Sequence, residues 1–292
     1  MVRTAGLFIL IIFCAFQTQP PVHQAFDFTA ENIFSQNIEG PCFDAAGNLY
    51  VVNFQRDGTV GRVDDNGNAS LFITLPYKSI ANAIVFNSKG DMLLADWIGH
   101  NVLKVNMKTK GVSVLAHKGF NQPNDLVINQ KDQVFASDPD WKKGTGRIWR
   151  VEPDGEAQVV WDNLGTTNGI ELNPDETILY VNESAQRKIW AFEVDKKGNL
   201  SNPKGFHEFA DFGLDGMKCD VRGNLYVARY DKGTIAVLSP GGKLVREIAL
   251  KGMKPSNLVF GGTDGRTVYV TLQDRKGMEY FWNDLPGRAY KK

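Results

Sequence analysis

The sequence predicts an all-β protein, a single six-bladed β-propeller with four-stranded blades. Three observations carry that reading. Beyond the first 25 residues helical periodicity is weak, whereas short alternating apolar runs bounded by Gly, Asn, Asp and Pro recur to the end of the chain. A unit of strand, polar turn and second strand appears six times, as "CFDAAGNLYVVN", "VFNSKGDMLLAD", "VINQKDQVFASD", "ELNPDETILYVNE", "KCDVRGNLYVAR" and "VFGGTDGRTVYVT". The second strands centre on Tyr50, Leu93, Phe135, Tyr180, Tyr226 and Tyr269, 42 to 46 residues apart, which is the period of a four-stranded blade.

The opening 25 residues, "MVRTAGLFILIIFCAFQTQPPVHQA", hold one arginine, an apolar run from Ala5 to Phe16 and then a polar, proline-broken stretch. These are the features of a secretory signal peptide, so residues 1–25 are expected to be a leader, residues 26–292 the propeller, and the protein secreted or periplasmic. The run is short for a membrane span, which leaves an uncleaved anchor as the alternative and no stable membrane insertion after cleavage. Cys14 follows a phenylalanine, a poor context for lipidation.

Each repeat has room for two further strands, as in "TVGRVDDNGNASLFITL" after the first unit and "KIWAFEVDKKGNL" after the fourth. The sixth is the exception. After Tyr269 only "GMEYFW" is available before the chain ends, so the last blade is one strand short, and "FDFTAENIFS" near the start is the expected donor that closes the ring.

Composition narrows the function classes. Lys plus Arg and Asp plus Glu are both 33, which gives no basic field for nucleic acid. Outside the leader only Cys42 and Cys219 remain, on the first strands of blades one and five, and are expected as free thiols. No C-x-x-C, H-x-x-x-H, P-loop or G-x-S-x-G motif appears, so structural zinc, nucleotide and serine-hydrolase chemistry lack a signature.

Counting back about 11 or 12 residues from each strand centre reaches Glu39, Asn82, Asn124, Asn168, Asp215 and Asn257, one per repeat and each with a side-chain oxygen. First strands line the channel of a propeller, so equivalent positions converge on its axis. Amide and carboxylate oxygens without Cys or His suit a hard divalent cation, Ca²⁺ foremost, with Mg²⁺, Mn²⁺ or Zn²⁺ as alternatives. For any single Asn or Asp, capping its own turn is the competing reading. Glu39 is a poor turn residue, and tilts the choice toward metal.

The motifs E-G-P at Glu39, P-N-D at Asn124, T-N-G at Asn168 and D-G-M at Asp215, in this order and spacing, resemble those of the regucalcin/gluconolactonase family. That resemblance covers nearly all of the chain after the leader. It implies a six-bladed propeller with one axial divalent metal held by Glu39, Asn168 and Asp215, with Asn124 a ligand or beside the metal and substrate. It also implies metal-dependent opening of a small-molecule lactone or ester. Animal members carry an arginine where this chain has Gln122, so the sugar-lactone specificity of those members is not carried over. Asn82 and Asn257 stand as outer partners or turn residues.

Connections after the second strands open on the same face as the ring. They supply Phe54, Trp97, His100, Asp138, Trp141, Glu183, Arg229 and Asp274 as candidates for the pocket wall, with Trp97, His100 and Trp141 expected against substrate. Two carboxylates compete for the role of base, Asp138 in "ASDPDW" and Asp215. Asp138 is preferred because a ligand carboxylate is made less basic by its metal. A phosphotriesterase on the same ring and a non-catalytic binding propeller are the other readings. Sequons stand at Asn68, Asn182 and Asn199, and the nearness of Asn182 to the pocket argues against its glycosylation.

Overall fold

In the computed structural model, which describes residues 21–76, 78–117 and 119–290, twenty-four strands form six antiparallel sheets of four. Together they make the six-bladed propeller that the repeat predicts, without helices among the described residues. The expected leader lies for the most part outside the described residues. Its last residues do not: Val22 bridges Trp282, and the His23 N–H donates to the Trp282 carbonyl.

In each blade the first strand is innermost. The six innermost strands are Phe34–Phe43, Ala81–Phe86, Leu126–Ile128, Thr167–Leu172, Gly213–Cys219 and Pro255–Gly261, in blades one to six. Apolar side chains on both faces of the sheets are buried, and they gather into six clusters, one at every interface between neighbouring blades. Phe34, Ile38 and Val51 of blade one, for example, meet Val259 and Met278 of blade six. This continuity of apolar contact around the circle is what holds a propeller together.

The ring closes as the missing strand requires. Phe26 and Asp27 pair antiparallel with Tyr280 and Glu279, and the Phe28 and Thr29 N–H groups both donate to Met278 O. The donor segment is therefore the front of "FDFTAENIFS", while Phe34 already belongs to blade one. Four hairpin turns of the sequence form D-x-x-G-N, at Asp44, Asp64, Asp195 and Asp220, share one construction. The Asp side chain accepts the N–H groups two and four residues on, and its second oxygen accepts the Asn amide. Cys42 and Cys219 are free thiols in the first strands of blades one and five.

At the far end of the channel the C-terminal segment forms a strap. Gly287 bridges Asp220, the Arg288 N–H donates to Cys219 O, and the Arg288 guanidinium reaches Glu171 of blade four at 2.5 Å.

Candidate functional site

Five of the six ring positions sit at a backbone irregularity. Where the first and second strands pair, the register shifts next to or across the ring residue in blades one, two, four, five and six. Such bulges re-aim a side chain that a regular ladder would point to one face of the sheet. In three of these blades a glycine follows the ring residue, and the space explains it. A Cβ on Gly169 would lie 2.3 Å from the Asp215 carbonyl oxygen, and one on Gly216 would lie 2.1 Å from Asn257 Oδ1. A Cβ on Gly40, whose φ is +52°, would lie 2.8 Å from the backbone of Asn82 and Ala83. Glycine lets the next blade come this close to the axis.

Glu39, Asn82, Asn124, Asn168 and Asp215 form the floor of a cavity of about 330 Å³. Its wall is Trp141, Ser184, Tyr230 and Gln273. The floor residues support one another. Asn82 Nδ2 donates to Asn124 Oδ1, Glu39 Oε2 accepts the Gly40 N–H at 2.8 Å, and Asn182 Nδ2 donates to the Asp215 carbonyl at 2.6 Å. Asn257 lies behind the floor, with its side-chain amide turned to Glu39.

Charge is unbalanced there. Glu39 is 2% exposed and Asp215 8% exposed, and no Lys, Arg or His lines the cavity. Burial, reinforced by the nearby Asp125, pushes the Glu39 carboxyl up to about 8. Burial and then Glu39 itself raise Asp215 well above the usual carboxylate range. Just below, Asp125 is also raised by burial, although its oxygens accept the Leu126 and Ile170 N–H groups and Lys218 pulls it down. Buried carboxylates forced together without a counter-charge are what a divalent cation discharges, and the amide oxygens of Asn124 and Asn168 complete an all-oxygen set. No three of His, Cys, Asp and Glu converge as a metal site among the described residues, in keeping with a floor of two carboxylates and three amides. The donor set thus fits a hard cation and not a thiolate- or imidazole-bound one.

Other predicted residues lie elsewhere. Asp138 is 1% exposed and outside the cavity lining. It accepts the Asn121 and Gln122 N–H groups and the Trp149 indole N–H, with Arg147 at 3.6 Å. With both oxygens engaged, it fastens the Asn121–Gln122 turn instead of facing the cavity. Gln122, Trp97 and His100 are also outside the lining; His100 is exposed and its Nδ1 meets Asn121 O. Trp141 is brought in, 45% exposed. Phe54 belongs to the blade one and six core.

Three wall candidates are each one residue from a true one. Glu183, Arg229 and Asp274 are tied to Gly165 N, to Asp211 and Glu247, and to the Met253 and Lys254 N–H groups, while Ser184, Tyr230 and Gln273 face the cavity. At Arg229 and Tyr230, both inside a strand, alternation accounts for the slip; the other two pairs fall at strand ends. Asp125 and Lys218 were missed, although both stand inside the motifs P-N-D and D-G-M-K. The sequon Asn182 is fully buried, which leaves no room for a glycan.

The family model described as "SMP-30/Gluconolactonase/LRE-like region" matches residues 39–274. The chain is 30% identical to a gluconolactonase of Zymomonas mobilis over 65% of its own length and 60% of that protein's. It is 30% identical to a 6-deoxy-6-sulfogluconolactonase of Pseudomonas putida over 43% of its length and 44% of that protein's. The alignments thus span less than two thirds of both relatives. Among solved structures, a calcium-binding protein, regucalcin, from Agrobacterium tumefaciens superposes with a TM-score of 0.77 at 18% identity, over 91% of this chain and 97% of that one, a likeness of fold.

Proposed function

The chain belongs to the SMP-30/gluconolactonase/LRE-like family, and on that premise we propose that it is a divalent-cation-dependent hydrolase of lactones. The single observation that carries the reading is the unpaired Glu39–Asp215 carboxylate couple at the floor of a solvent-reachable cavity. Perturbed acids of this kind concentrate at functional sites. The gluconolactonase and sulfogluconolactonase relatives supply the substrate class.

Glu39, Asn168 and Asp215 would hold the cation, with Asn124 beside them, and the regucalcin likeness favours calcium. When bound, the cation supplies charge neutralisation and polarisation of the lactone carbonyl. Asn124, oriented by Asn82, would stand beside cation and substrate, and Asp215, the second carboxylate proposed as base and the one that lines the cavity, would take a proton from the attacking water through its oxygen not bound to the cation. Asp138 acts at a distance, by fixing the turn that leads into Asn124. Export through the leader remains part of the proposal; a cut after residue 25 would remove Val22 and His23 from the closing blade, so sequencing the N-terminus of exported protein locates the true start.

A panel of aldonolactones, simple lactones and phosphotriesters, assayed with chelator and with restored calcium, tests the reading. Lactone opening that disappears with chelator and returns with calcium is expected. Activity indifferent to chelator, or confined to phosphotriesters, overturns it.

A further inference from the structure

The cavity wall differs from an ordinary small-molecule pocket, which is mostly apolar. The second strands of blades five and six end side by side, and there the Tyr230 hydroxyl donates to Gln273 Oε1 at 2.9 Å. The Gln273 main chain is fixed as well, its N–H donating to Lys254 O. With its oxygen engaged, the Gln273 side chain keeps an amide nitrogen that has two N–H donors and no partner among the described residues. Ser184, on the neighbouring blade four, likewise offers a hydroxyl without a protein partner among the described residues. The Tyr230 phenol, raised to about 12 by burial and then Asp215, is neutral at neutral pH and holds the Gln273 amide in place. Trp141 completes the wall from blade three with an open indole face.

We propose that Tyr230 and Gln273 form a hydrogen-bonding wall that selects uncharged, polyhydroxylated lactones over anionic lactones and over lactones without hydroxyl groups. The inference rests on the lactonase reading and adds the determinant of specificity. A ring hydroxyl satisfies the free Gln273 N–H groups, whereas an unsubstituted lactone leaves them desolvated and unpaired. A carboxylate or sulfonate on the substrate finds no Lys, Arg or His in the lining. Trp141 gives the C–H face of a sugar ring a flat apolar surface.

The test uses inert lactams in place of lactones, so that binding is read without turnover. A neutral hexonolactam, its counterpart bearing a terminal carboxylate, and δ-valerolactam are titrated calorimetrically into full-length protein with added calcium. Wild type is expected to bind the neutral hexonolactam at least about tenfold more tightly than either of the others. Gln273→Leu and the milder Tyr230→Phe should each weaken hexonolactam binding by roughly two- to tenfold and shrink its advantage over valerolactam. Gln273→Arg should shift preference toward the carboxylate-bearing lactam. Equal binding of the three lactams, no hexonolactam binding by wild type, or an unchanged preference in both Gln273→Leu and Tyr230→Phe overturns the proposal. Lactone turnover measured alongside separates the two claims: lactam discrimination without turnover refutes the hydrolase, and turnover without discrimination refutes the wall.

Discussion

The two ends of the axial channel treat buried carboxylates in opposite ways. At the far end Glu171 is buried yet compensated, with Arg288 at 2.5 Å and Lys218 at 3.8 Å. Burial pulls the Lys218 amine down, but Asp125 and Glu171 outweigh it and hold the amine above its ordinary value. At the cavity end Glu39 and Asp215 face each other with no such cation, and both are forced toward the protonated form. Paired buried charge reads as architecture and unpaired buried charge as a functional site. Within one channel, that difference separates a structural strap from a ligand site.

The comparison predicts responses of opposite sign. Arg288→Ala removes the nearer of the two cations on Glu171 and leaves Lys218, and should cost about 1.5–3 kcal/mol of stability with or without calcium, as losing a charge-assisted hydrogen bond does. Chemical denaturation in both conditions checks it. Gly169→Ala attacks the cavity end by crowding the Asp215 carbonyl, and overpacking of this kind is worth about 1–3 kcal/mol. Unlike the Arg288 change, it should also lower cation affinity, because Asp215 is the group displaced. Asp215→Asn relieves the repulsion with Glu39 and should stabilise the cation-free protein while abolishing its stabilisation by calcium. A fall in stability of that variant without calcium would erase the distinction between the two ends.

The same couple sets a response to pH. Glu39 holds its proton to about 8 in the folded, cation-free protein, whereas an unfolded glutamate releases it near its ordinary value of 4.5. Between those values the folded state binds more protons, so stability falls as pH rises across the window. Melting curves from pH 5 to 8 should decline without calcium and lose that decline when calcium is saturating.

Much of this was legible in the sequence because repetition carries geometry. A spacing of one blade places six side chains on one axis, and the glycines after Glu39, Asn168 and Asp215 mark where neighbouring blades come closest. Individual wall residues were not legible, since a strand alternates and a one-residue uncertainty exchanges Arg229, bound to Asp211, for Tyr230 on the cavity. Asp138 misled for another reason. Its partners, the Asn121 and Gln122 N–H groups and Trp149, come from a turn and a third strand whose approach no local pattern reveals. The Arg288 strap was equally hidden, because it joins residues 117 positions apart.

Calorimetric titration of calcium into wild type, Asp215→Asn and Arg288→Lys addresses the central claim, that the unpaired end of the channel is a cation site and the paired end is not. Wild type should bind one equivalent. Asp215→Asn should lose more than the roughly hundredfold upper range typical of outer partners, and Arg288→Lys should stay within about threefold of wild type. Absence of calcium binding in the wild type, or equal affinity in Asp215→Asn, would contradict the account.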